Sequence, residues 1–478
     1  MDRKKLNLKQ ILLLVTGMII IAIFGFIYYQ RQHIHLKNQG VYTLEVGTKL
    51  DFQAKDYFDL NFFTSAEREK INQKIKVNFQ DLTYLDQQKE FINIGKYQGA
   101  ITYQNKTYSI KLIVQDTTPP EIEYDDKIAY QQADFDINQY IQVTDNSTGK
   151  CQTDIQTQNL DINQLGEYTI TVKASDASGN QVTQNIKMHV VDKEAPVLSC
   201  VEDKILQIGE SFLPLKDVSA KDNVDGNITN QIQVKGQVDT NKKGIYTVLY
   251  SVQDQAKNQT QKERQIYVID SSYLIKEVPM ILQNPGYYNG CEAASSTMLL
   301  QYYGYHYKMA EVVKSIPTIP LQRHNGRLYG ANPHEAFTGS MVHEGYGIYA
   351  KPMMDVVNRL ISKKEGKHQV RSLIGESVEK LLYEVSEGHP VQIWATASMM
   401  NVKYSGTKSW YIKTRAGKYT DEQYHFPLSE HCMLLVGYDK NNVIINDPLR
   451  GQVRYSIKAF REAFESMGAQ ALMIENKE

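Results

Sequence analysis

The sequence predicts a multidomain chain in which an apolar helix long enough to cross a bilayer leads into three all-β modules and then a mixed α+β domain. Three observations predict it: an uncharged apolar run at residues 11–29, a pattern returning three times between residues 40 and 270, and mixed helix and strand signals after about residue 273. A chain of 478 residues is too long for one core and calls for about three to five domains. Hydrophobic residues make up 42% and charged residues 22%, a globular composition. The formal net charge is −1, so no basic excess exists to hold a polyanion, and nucleic acid is excluded as a partner. The 32 tyrosines, spread through strand-like segments, read as half-buried strand residues.

The run ILLLVTGMIIIAIFGFIYY at 11–29 covers roughly 28 Å as a helix, close to the thickness of bilayer hydrocarbon. Arg3, Lys4, Lys5 and Lys9 precede it in a basic segment, residues 1–10, and Tyr28 and Tyr29 stand at its far end. Basic flanks stay cytoplasmic and tyrosines favour headgroups, so the expectation is a single-pass membrane anchor with the N-terminus inside and the C-terminal domain extracellular. A cleaved signal peptide is the rival reading. Its apolar core is usually about 7–15 residues and ends at a small-x-small site, which the exit GFIYYQRQHIH lacks.

Gly95, Gly166 and Gly244 open the triplets GKY, GEY and GIY, each starting a stretch of alternating apolar and polar residues. The stretches close with IKLIVQD at Asp116, IKMHVVD at Asp192 and RQIYVID at Asp270. Period-two alternation argues for strands with one buried face, and SDASGN and QDQAKNQ mark turns between them. The prolines of TTPPEIE and KEAPVLS cannot donate to a sheet ladder and mark module edges. The predicted modules are 40–116, 117–192 and 193–270. In the first, TSAEREKINQKIKVNF has a partly helical pattern. Asp222, Asn223, Asp225 and Gly226 form an acidic turn; a turn of this composition needs no metal, although its carboxylates suit calcium. These features resemble bacterial immunoglobulin-like surface modules. Three such sandwiches in series would lift the following domain on the order of 100 Å from the membrane; an adhesive role is the other possibility.

In the last domain, EVPMILQNPGYYNGCEAASSTMLLQYYGY reads as a short strand, a polar loop and a helix from Cys291 to Tyr303, ended by Gly304. Ala294, Met298, Leu299 and Tyr302 share a face that packs against a core. Cys291 begins the helix, where free amides and the macrodipole favour a thiolate. Downstream, CMLLVGY and VIIND read as antiparallel strands joined by DKNN. That pairing sets His431, at the start of one, beside Asp447, at the end of the other, as base and orienting acceptor. Gln283 and the amide of Cys291 are the candidate oxyanion donors.

The segment Q-x7-C-E-A-A before a helix, then H-x5-G-Y-D and N-D-P-x-x-G, resembles the papain-fold family typified by bacteriocin-processing peptidases that cut after double-glycine leaders. The resemblance covers roughly residues 273–475 and is nearest to stand-alone surface members. It implies a Cys nucleophile, His base, Asp orienter and Gln oxyanion donor, falling on Cys291, His431, Asp447 and Gln283. No ATPase motif accompanies the domain, so leader processing is not carried over. The fold class is therefore a transmembrane helix, three immunoglobulin-like sandwiches and an α+β papain-like domain.

The expected activity is a membrane-anchored extracellular cysteine peptidase acting through a thioester acyl-enzyme on a peptide or protein at the cell envelope. The alternatives are a surface adhesion or binding protein with a catalytically silent papain-like domain, and acyl transfer by the same three residue types. Asn446 competes with Asp447 as orienter. Cys432, on a strand next to His431, faces away from it and is read as core. Four cysteines match no zinc ribbon or disulfide framework, and a Cys151–Cys200 bridge is not expected. His324, His334, His343 and His425 have no metal-ligand spacing, so no cofactor and no metal are called for. The polar segment 398–430, with Trp410, is either a lid or a surface excursion.

Overall fold

The computed structural model describes residues 8–49, 51, 53–364 and 366–477. Of the basic flank, Arg3, Lys4 and Lys5 lie outside the described residues. A boundary after Lys193 divides the chain into two compact units.

The first unit opens with the helix Leu8–Gln32, 25 residues long, none of them buried. It is long and apolar enough to cross a membrane. The first module is a four-stranded sheet in the order Val41–Glu45, Lys106–Gln115, Gly95–Tyr103, Lys76–Phe79. Its core side is closed partly by the helix Ser65–Lys74, whose Ile71 joins Phe58, Ile101 and Ile110. That helix starts with a capping box between Thr64 and Glu67, which satisfies amides the first turn leaves free. The helical pattern expected within the first module is thus present, and among the described residues the module has one sheet rather than the two sheets expected of a sandwich, its core being closed in part by that helix.

The second module has a four-stranded sheet (Lys127–Ala129, Gln181–Val191, Gly166–Ser175, Gln152–Gln156) and a two-stranded one (Glu121–Tyr124 with Ile141–Thr144). Ile170, Val172 and Ala174 alternate inward along one strand to meet Ile186, Met188 and Val190 of its neighbour.

The second unit begins with the third module, of three- and four-stranded sheets. It is joined directly to the C-terminal domain. Ile205 and Ile269 pack into that domain's core, Ser377 Oγ donates to Asp203 Oδ2 at 2.9 Å, and Lys243 pairs with Glu387 at 2.7 Å.

The C-terminal domain is built on a sheet in the order His368–Ser372, Ala471–Asn476, Val391–Thr396, Glu430–Tyr438, Asn442–Asp447, Gly451–Ser456, with Tyr273–Leu274 added beside Glu430–Tyr438. The helices Cys291–Tyr302 and Ala350–Ser362 cover one face, with Cys432, Leu434 and Val436 turned toward them. Val378–Ser386 and Ile457–Ser466 cover the other, against Met433, Leu435 and Ile445. Both sheet faces are buried, which is why the central strands read as unbroken apolar runs.

The segment 398–430 is an ordered hairpin, Tyr404–Lys413 with Tyr419–Pro427, completing a four-stranded sheet with Gln322–His324 and Arg327–Gly330. Trp410 is buried beneath it and donates from Nε1 to Ala331 O at 2.7 Å.

Candidate active site

Cys291 is the first residue of its helix, and Gly290 is the N-cap. Gly290 is required by crowding: a Cβ there would lie 2.8 Å from Tyr287 Cβ and 2.9 Å from Met309 Cε. The helix is buried on all sides as far as Leu300, not only on its apolar face. Its polar residues meet the sheet through a hydrogen-bonded seam: Ser295 Oγ donates to Cys432 O at 3.1 Å, and Ser296 Oγ to Gln392 Oε1 at 2.9 Å. Gln392 Nε2 in turn reaches Cys432 Sγ at 3.2 Å. The seam clamps the first turn of the helix over the start of the strand Glu430–Tyr438.

His431 and Asp447 meet as the strand pairing predicts. Nε2 of His431 lies 2.7 Å from Asp447 Oδ1, and both side chains are buried. Burial alone would raise the Asp447 carboxyl. The His431 hydrogen bond and charge, the Leu449 amide and Arg450 outweigh it and hold the group below its ordinary value. Asn446 instead accepts from Gln452 Nε2 at 3.1 Å, so Asp447 is the partner of the imidazole.

Gln283 is tied to the same corner, its amide donating to Pro448 O at 3.0 Å. Its side-chain Nε2 donates to Tyr288 O at 2.7 Å, and its Oε1 is buried without a partner.

The thiol of Cys291 departs from expectation. Its hydrogen bond runs to Glu292 Oε2 at 3.3 Å, and among the described residues no hydrogen bond joins Sγ to the imidazole. Sγ lies in the layer of Cys432, whereas alternation along the strand turns His431 the other way. Cys432 is buried, as predicted, in the same apolar cluster as Cys291. Burial, then the Glu292 and Glu430 charges, push the Cys291 thiol well above its ordinary value. The amide dipoles are present, but in this conformation the sulfur is a protonated thiol rather than a thiolate.

Glu292 and Glu430 are residues that the sequence reading missed. One ligand atom each of Cys291, Glu292 and Glu430 lie within 4.8 Å of one another. Glu292 Oε1 accepts from the Ile348 amide at 2.9 Å, and Glu430 Oε1 is buried without a partner. A Cβ on Gly347 would lie 2.9 Å from Glu292 Oε1 and 3.0 Å from Glu430 Oε2. Burial raises Glu292 to about 7; burial and the neighbouring Glu292 raise Glu430 well above the carboxylate range. The available signal was an acidic residue directly after Cys291 in a helix whose next residues are all small or apolar, a position where a charge is costly. All four cysteines are free.

A cysteine opening a helix that abuts a sheet, with a His–Asp pair on adjacent strands, defines the papain-like cysteine-peptidase architecture. Residues 275–472 match the Peptidase_C39 like family, and residues 197–268 match the bacterial surface protein Ig-like domain. The uncharacterized protein YvpB of Bacillus subtilis is 31% identical over 206 residues, covering 42% of this chain and 76% of that protein. A solved structure of a C39-like peptidase from Bacillus anthracis is 28% identical, covering 44% of this chain and 99% of its own, with a TM-score of 0.37. The pesticidal crystal protein Cry22Aa of Bacillus thuringiensis is 27% identical over 236 residues, covering 41% of this chain and 32% of that protein. The chain belongs to the C39-like peptidase family, with immunoglobulin-like surface modules preceding the peptidase-like domain.

Proposed function

We propose that this protein is a membrane-anchored extracellular cysteine peptidase, with Cys291 as nucleophile, His431 as base, Asp447 as orienter and Gln283 as oxyanion donor. The observation that carries the reading is the buried His431–Asp447 hydrogen bond at 2.7 Å, set beside a helix that begins with a cysteine. Asp447 engages Nε2, which leaves Nδ1 as the nitrogen to take the thiol proton. For that transfer Sγ leaves Glu292, and the first turn of its helix and the start of the strand Glu430–Tyr438 shift to bring sulfur and imidazole together, since rotation of the cysteine side chain alone does not reach the face that carries His431. The thiolate then adds to the substrate carbonyl, the developing oxyanion is met by the Cys291 amide and the second N–H of Gln283, and the imidazolium protonates the leaving amine. Water, deprotonated by His431, hydrolyses the thioester and restores the thiol. The helix Leu8–Gln32 supplies the anchor, with the N-terminus cytoplasmic and a peptide or protein of the cell envelope as substrate.

The test is a panel of peptide substrates and a thiol-directed electrophile applied to the purified full-length protein in detergent. Cys291→Ala abolishes hydrolysis and labelling at residue 291 while its circular dichroism stays that of the wild type. Hydrolysis undiminished in Cys291→Ala overturns the assignment. A second reading, a binding module with a silent peptidase fold, is favoured by the Cys291–Glu292 hydrogen bond. It predicts that Cys291 reacts as slowly as a buried thiol in every condition tested.

A further inference from the structure

The second and third modules repeat more than their strands. VTDNSTG and AKDNVDG place Asp145 and Asp222 at equivalent turns, and ASDASGN and VQDQAKN do the same for Asp176 and Asp254. In the first unit, Asp145 and Asp176 converge with Asp116, which closes the first module just before the TTPP joint. One carboxylate oxygen from each lies within 4.8 Å of the others, and Asp116 and Asp176 are buried. That spacing is about twice a calcium–oxygen distance.

Hydrogen bonds organise this cluster without neutralising it. Ser178 Oγ donates to Asp116 Oδ2 at 2.9 Å, and Asn180 Nδ2 to Asp176 Oδ2 at 2.8 Å. Asp145 Oδ1 accepts from the Ser147 amide at 2.9 Å, while Asp145 Oδ2 is enclosed with no partner. Asn146 gives its Nδ2 to Val46 O at 3.2 Å, and its own Oδ1 is likewise enclosed and unpartnered. Among the described residues no Lys, Arg or His forms an ion pair with Asp116, Asp145 or Asp176.

The repeat in the second unit supplies an independent sign of a missing partner. Asp222 is only 4% exposed; its Oδ1 accepts from the Val224 and Asp225 amides at 2.8 Å each. Its Oδ2 is enclosed without a donor, and one of its carboxylate oxygens lies within 4.8 Å of an oxygen of the buried Asp254. A buried, unpartnered acceptor on one of two adjacent buried carboxylates is unfavourable unless a cation joins them.

We propose that Asp116, Asp145 and Asp176 bind one calcium ion and that Asp222 and Asp254 contribute to a second, equivalent site. All the available donors are carboxylate or amide oxygens on turns, which suits a large, hard cation of irregular coordination better than zinc or magnesium. The first ion ties the end of the first module to two turns of the second, across the proline joint. The acidic turn is thus a ligand as well as a turn.

The experiment uses full-length protein in detergent, stripped with a chelator and dialysed against radioactive calcium. Wild type takes up two ions per chain with half-saturation in the range of about 0.1–1 mM, as extracellular modules do. Asp145→Asn loses one, Asp222→Asn loses the other, and the double variant loses both. Circular dichroism of each variant in chelator matches that of wild type, which separates ligand loss from misfolding. As a measurement needing no variant, calcium raises the melting temperature of the wild type and equimolar magnesium does not. Absence of saturable uptake by the wild type, uptake undiminished in the double variant, or equal stabilisation by magnesium overturns the proposal.

Discussion

Glu292 and Glu430 face each other across Gly347 beside the thiol, and their protonation ties stability to pH. Below the ordinary carboxylate value both folded and unfolded chains hold the proton, and nothing is lost. Above it the unfolded chain releases the proton while the folded one keeps it on Glu292 to about 7, so stability falls as pH rises through that window. Asp447, held below its ordinary value, acts with the opposite sign and only in acid. Trp394 and Trp410 are both buried in the C-terminal domain and are the only two tryptophans, so fluorescence reports this domain alone. Urea unfolding followed by tryptophan emission is predicted to show stability declining from pH 5 to 7, and Glu292→Gln to flatten that decline. At the same site Asp447→Asn is predicted to lower kcat on the order of 10³–10⁴-fold by releasing the imidazole tautomer, while Cys432→Ser leaves turnover near wild type. Steady-state assays on the three proteins decide this.

The strands Glu430–Tyr438 and Asn442–Asp447 and the helix beginning at Cys291 were legible because each has a local signature: an apolar run, a DKNN turn, and a glycine at each end of the helix. Gly304, with φ of +81°, ends that helix as its position foretold. The burial of the helix's polar face was not legible, because Ser295, Ser296 and Glu292 are satisfied by Gln392, Cys432 and Ile348, residues far away in sequence. The orientation of Cys291 was illegible for the same reason: its thiol is taken by Glu292, whose own place is set by the distant Ile348 amide. Segment 398–430 gave a polar composition with no period, whereas its order comes from pairing with Arg327–Gly330 and from the buried Trp410 indole on Ala331, partners distant in sequence. Trp410→Ala is predicted to cost about 3–5 kcal/mol of C-terminal domain stability, measured by urea unfolding with circular dichroism.

At the scale of the whole chain, the three repeats were read as equal spacers between membrane and peptidase domain. The third differs from the other two in its surroundings. Its last strand runs Gln259–Ile269, and Ile269 already belongs to the hydrophobic layer formed by Leu381, Val385 and Leu435. Tyr267 lies against Tyr383, ring centres 5.8 Å apart. A fragment of residues 194–478 is therefore predicted to melt at a higher temperature than one of residues 273–478, by several degrees in scanning calorimetry. Equal melting of the two would show the contact to be incidental.

That shared layer has a consequence for how such chains diversify. A peptidase-like domain whose hydrophobic interior borrows a residue from its neighbour loses part of that interior when the chain is recombined at residue 270. A cut after Lys193, where the chain itself divides, keeps that interior whole.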